Sequence, residues 1–163
     1  MRQRLSIALL AAAMVAPGLA QAGSASDFDF WLGSWSLSWG KDSTGSNVIT
    51  RELGGQVIQE RFDGRPSSKL QGMSVSIFDA KADQWKQTWV DNNGSYLDFT
   101  GGLNPDGSME LWRGATGKDG EPILQRMLFY NIRPDSLDWN WERSTDGGQT
   151  WTTLWKIHYE RQR

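Results

Sequence analysis

Cysteine is absent from this 163-residue chain, and histidine occurs once. The first absence removes disulfides, thiolate nucleophiles and thiolate metal sites together. The second excludes a zinc site built from imidazoles and leaves any Ser-His-Asp arrangement dependent on His158 alone. A basic stripe is also missing. Residues 23–163 carry 15 basic against 19 acidic side chains, a net charge of −4, which argues against nucleic acid as a partner. No segment after residue 22 has the apolar spacing of an amphipathic helix. What the chain has in quantity is tryptophan, ten residues, each able to bury a large apolar area. A small domain without disulfides depends on such a core for its stability.

The one long apolar run lies at the N-terminus. Arg2 and Arg4 precede the stretch from Leu5 to Val15, Pro17 and Gly18 interrupt it, and Ala20-Gln21-Ala22 ends it with a small-x-small pattern. This is the layout of a secretory signal peptide. The run falls short of the ~20 apolar residues that cross a bilayer, so no membrane span is expected. No cysteine follows it to carry a lipid anchor. The expected boundaries are a signal peptide over residues 1–22 and one domain over residues 23–163, placed in the periplasm or secreted.

The rest of the chain alternates every second residue between turn signals. The patterning predicts strands over 34–39, 47–53, 57–62, 72–78, 85–90, 96–100, 109–113, 123–132, 137–143 and 151–159. Gly54-Gly55, Asn92-Asn93-Gly94, Asn104-Pro105-Asp106-Gly107 and Thr145-Asp146-Gly147-Gly148 supply the turns. Ten strands in hairpin succession predict an all-β fold, a single antiparallel up-and-down barrel, with a β-sandwich as the alternative. The turn between the first two strands is too short for a helical lid.

The block Asp29-Phe30-Trp31-Leu32-Gly33-Ser34-Trp35 resembles the opening of the calycin barrels, the lipocalin and nitrobindin types. Lipocalins place Gly-x-Trp at the start of the first strand, here Gly33-Ser34-Trp35, and set a late arginine over that tryptophan, for which Arg161 is the candidate. The chain is also similar to an uncharacterised family of exported bacterial proteins. The similarity runs through Leu53-Gly54-Gly55, Glu60, Asn131-Ile132, Pro134-Asp135-Ser136, Trp141-Glu142 and Ser144-Thr145-Asp146-Gly147-Gly148. It implies a calycin-like barrel and carries no assigned reaction. Ser144 to Trp151 resembles the Asp-box of sialidases, which implies a structural hairpin turn remote from any active site.

Three strands show their faces. Trp35, Leu37 and Trp39 share one, Leu137, Trp139 and Trp141 another, and Trp151, Thr153, Trp155, Ile157 and Tyr159 a third; all three are expected to point inward. His158 then points outward, against the haem ligation that the nitrobindin likeness implies for a late histidine, and no cofactor is expected. Gln87 lies between Trp85 and Trp89, a polar group among rings, as in small-molecule sites. Glu60 and Asp98 are the carboxylates available as an acid–base pair, and Glu60 with Arg126 is the alternative buried ion pair. Gln87, Trp89, Glu60, Tyr96, Trp112 and Arg126 are therefore the expected ligand-binding residues, and the expected ligand is a small apolar or aromatic molecule. Trp39, Trp89, Trp141 and Trp155 are expected to narrow the lumen without filling it. An enzyme using lumen carboxylates and a structural module with a filled core are the other two readings. A strongly raised carboxyl pKa in the lumen would favour the enzyme, and a filled lumen the structural module.

Overall fold

The computed structural model describes residues 22–163. The expected signal peptide, apart from Ala22, lies outside the described residues. Ten strands follow one another: β1 (Gly33–Trp39), β2 (Ser43–Glu52), β3 (Val57–Asp63), β4 (Gln71–Asp79), β5 (Gln84–Asp91), β6 (Tyr96–Leu103), β7 (Met109–Thr116), β8 (Pro122–Tyr130), β9 (Ser136–Ser144) and β10 (Thr152–Arg161). Each pairs antiparallel with the next, and β1 pairs with β10 to close the barrel. Closure leaves no sheet edge open for pairing with another chain. Among the described residues the only helical pieces are two three-residue 3-10 turns, and no helix is long and apolar enough to cross a membrane.

Period-two burial decides what enters the lumen. Trp35 and Leu37 on β1, Ile49 on β2, Ile58 and Phe62 on β3, Trp85 on β5, Phe99 on β6, Leu111 on β7, Phe129 on β8 and Leu137 on β9 are buried in one continuous core. Strand β10 departs from the expected pattern. Thr153 pairs with Glu142 and Trp155 with Trp141, so Leu154 is an extra residue in a β-bulge. A bulge reverses the phase of a strand. Trp155, Ile157 and Tyr159 therefore face in, while Thr153 bonds Glu142 on the outer surface and Trp151 lies outside as well.

The two ends of the barrel differ. At one end the chain before β1 folds back as a plug. Phe28 stacks on Trp31 at 5.0 Å, and both meet Phe129 edge-on at 5.2–5.3 Å. Arg161 fastens the plug: its guanidinium lies 4.1 Å over Trp35 and donates to the carbonyl oxygens of Leu32 and Phe30. The Nε1–H of Trp35 donates to the Trp31 carbonyl at 2.7 Å. Towards the other end, Trp39, Trp89, Trp139, Trp141 and Trp155 are only half-buried, and Trp155 meets Trp39, Trp139 and Phe62 edge-on.

Candidate ligand cavity in the lumen

A cavity of about 220 Å³ lies inside the barrel. Trp31 and Phe129 belong to its plugged end, and Leu70 in the β3–β4 loop to its mouth. Between them the wall is made by Phe62, Trp89, Leu97, Phe99, Met127, Trp139, Trp141, Trp155, Ile157 and Tyr159, with Glu60 as the one charged group.

Strand β4 faces the lumen with small residues and adds none of them to the cavity wall. This strand turns Gly72, Ser74 and Ser76 inward and leaves Met73, Val75 and Ile77 more than a third exposed outside. The volume the small residues leave is taken by neighbouring strands: Ser74 meets Glu60 and Ser76 meets Gln87. Gly72 matters most: a β-carbon there would fall inside the Trp89 indole. Glycine lets that ring lie against the strand, and the Trp89 Nε1–H then donates to Asp91 Oδ2 at 3.0 Å.

Glu60 enters through the alternation of Ile58, Glu60 and Phe62 on β3. Its Oε1 accepts from Asn47 Nδ2 at 2.7 Å and its Oε2 from the Ser74 hydroxyl at 2.7 Å. Asn47 Nδ2 also reaches the Tyr159 hydroxyl at 3.3 Å. Burial raises the Glu60 pKa to about 7, although the bonds from Ser74 and Asn47 oppose the rise. Burial, then the charge of Glu60, pushes the Tyr159 phenol above its ordinary range. The carboxyl is thus poised between its two protonation states at neutral pH, among groups that stay neutral.

Three of the expected site residues are inside, and two of them share the cavity. Glu60 and Trp89 line it. Gln87 is buried in the barrel but forms no part of the wall; its Nε2–H donates to the Ser76 hydroxyl at 2.9 Å. Tyr96, Trp112 and Arg126 are on the outer surface. Leu97 and Phe99 face in on β6, Leu111 on β7, and Met127 and Phe129 on β8, so their neighbours point out. The same alternation puts Asp98 outside, bonded by the Thr88 hydroxyl at 2.6 Å. Neither the Glu60–Asp98 carboxylate pair nor the Glu60–Arg126 ion pair forms.

Arg126 instead centres a clip outside the barrel. It donates to Glu142 at 2.7 Å and Glu110 at 2.6 Å, with the Trp151 ring 4.0 Å away. Beside it the Asp-box segment is a turn. Asp146 accepts from the Thr150 amide and hydroxyl, and Ser144 Oγ accepts from the Gly148 amide. His158 lies on the outer surface with its Nδ1 2.9 Å from Asp138 Oδ1.

Asn47, Ser74, Tyr159 and Trp31 are not among the expected ligand-binding residues, although Tyr159 is on a face expected to point inward. A signal for the first two exists in the sequence. With Glu60 inside, the hairpin around Gly54-Gly55 pairs it with Ile49, and Asn47 is two residues away on the same face. Ser74 is the partner of Glu60 on the opposite neighbour strand. No protein-family model matches this chain, and no curated protein matches it.

Proposed function

We propose that this protein is a binding barrel for a compact, ring-bearing, largely apolar molecule, held in the lumen and oriented by Glu60. The observation that carries the reading is the unfilled cavity: about 220 Å³ walled by rings and aliphatic side chains around a single carboxyl. A packed core leaves few voids larger than a water, and empty apolar space costs stability. An engineered apolar cavity of about 150 Å³ takes up benzene, so this one accommodates a ring with a short arm. Titration with indole and with naphthalene tests the reading. Calorimetry should register heat from either, and Leu97→Trp, which puts a ring into the wall, should abolish it. No heat with either probe overturns the reading.

The raised pKa of Glu60 favours a second reading, proton transfer on a bound substrate. A general base works best with a pKa near the operating pH, and about 7 meets that condition. In that case Glu60→Gln would retain binding and lose turnover.

The working place we propose is outside the cytoplasm. Cleavage after Ala22 would convert the Gly23 amide, now 2.8 Å from Asp83 Oδ1, into an ammonium facing a carboxylate. N-terminal sequencing of exported protein should begin at Gly23; an intact Met1 would rule the cleavage out.

A further inference from the structure

Building on the binding reading above, we propose that the lumen is a site for a protonated amine carried on an aromatic ring, with the Glu60 carboxylate as its counter-ion. The cavity wall contains one carboxyl and no lysine, arginine or histidine. The two groups that bond Glu60, Asn47 and Ser74, are neutral donors. A buried charge is stable only when paired, so a site holding this carboxylate lacks a cation. The basic groups towards the mouth are not part of the wall; Lys69, beside Leu70, is exposed. Arg113 follows the inward phase of β7 but donates to Gln125 at 2.8 Å and is not part of the wall. Asp91, on the inward phase of β5, accepts from Trp89 and adds negative charge.

The rest of the chemistry points the same way. Asn47 Oδ1, on the residue that bonds the carboxylate, is a buried acceptor without a partner and would take an N–H. The wall offers five indoles, three phenyl rings and a phenol, and ammonium groups are recognised by such ring assemblies. Tyr159 stays protonated beside Glu60, so the ammonium meets a single negative charge.

The test uses three probes of nearly equal shape: 2-phenylethylamine, 2-phenylethanol and phenylacetate. Calorimetric titration at pH 8 should give the amine at least about tenfold tighter binding than the alcohol, a margin set by one added charge pair. Phenylacetate should give no heat. Lowering the pH to 5.5 leaves the amine charged but protonates Glu60, so its affinity should fall by about tenfold or more. Glu60→Gln should erase the preference for the amine and keep binding of the alcohol, which also shows that the variant is folded. Equal binding of amine and alcohol at both pH values would overturn the amine assignment and leave the lumen as a binding site. No heat from any of the three, nor from indole, would overturn both.

Discussion

Two glutamates in this molecule are equally hidden from water and live under opposite electrostatics. Glu60 in the lumen is 6 % exposed and Glu142 on the outer surface 5 %. Burial works against the charge of Glu142. Hydrogen bonds from Asn140 and Arg126 and the charge of the guanidinium outweigh it, and hold that carboxyl below its usual range. Burial works harder against Glu60, which lies deep in the lumen where only Ser74 and Asn47 answer it, and its carboxyl rises to about 7. Neutral hydrogen bonds satisfy lone pairs; they do not replace a counter-ion. The outer site is complete within the protein, and the inner one is a cation short.

The largest effect should come from uncoupling the outer site. Arg126→Met leaves Glu142 and Glu110 without their cation and should cost about 4 kcal/mol at pH 7, measured by urea unfolding. Glu142 has a depressed pKa, so its contribution is present above about pH 4.5 and is lost as the pH falls through the folded value. The cost of the substitution should shrink accordingly in acid. A loss that is the same at pH 3 and pH 7 would mean that packing against Trp151, not charge, is what Arg126 contributes.

Glu60 should show the reverse slope. A carboxyl whose folded pKa is raised binds its proton more tightly in the native state. Its stabilisation is complete below about pH 4.5 and disappears as the pH rises to about 7. The unliganded protein should lose about 3 kcal/mol over that window through this group, and Glu60→Gln should flatten that part of the profile. Parallel wild-type and variant profiles would remove the contrast between the two glutamates.

Smaller effects probe the space around Glu60. Gly72→Ala drives a methyl into the Trp89 indole and should cost about 2 kcal/mol through overpacking. It should also displace the ring into the cavity and weaken uptake of 2-phenylethylamine. Retained affinity would show that the strand, not the ring, yields. The smallest effect is expected at His158, whose side chain is 43 % exposed and whose partner Asp138 also bonds Asn131. His158→Ala should change the unfolding free energy by less than about 0.5 kcal/mol.

The number and order of strands can be read in the sequence, because glycine, asparagine, aspartate and proline punctuate every alternating run. The faces of β1 and β9 are legible for a related reason: serine or polar residues alternate strictly with Trp35, Leu37, Leu137, Trp139 and Trp141. Two kinds of segment resist such reading. In Tyr96-Leu97-Asp98-Phe99 and Met109-Glu110-Leu111-Trp112 an aromatic ring stands on the solvent side, so apolar residues occur on both faces and periodicity does not choose between them. In β10 the apparent alternation runs unbroken from Trp151 to Tyr159, and the bulge at Leu154 is visible only in the pairing with β9. Glu60 was accessible to sequence reasoning through Ile58 and Phe62. Its isolation from Arg126 was not, since that depends on the face β8 turns inward.

The clasp between the first and last strands sets the timetable of assembly. Arg161 reaches the Leu32 carbonyl across 129 residues of sequence, and β1 has no second neighbour until β10 arrives. Contacts of such long range form slowly, because loop closure must come before they are made. A chain emerging from the ribosome therefore cannot seal its barrel before β10 has followed β9 out, and deletion of residues 161–163 should slow that closure.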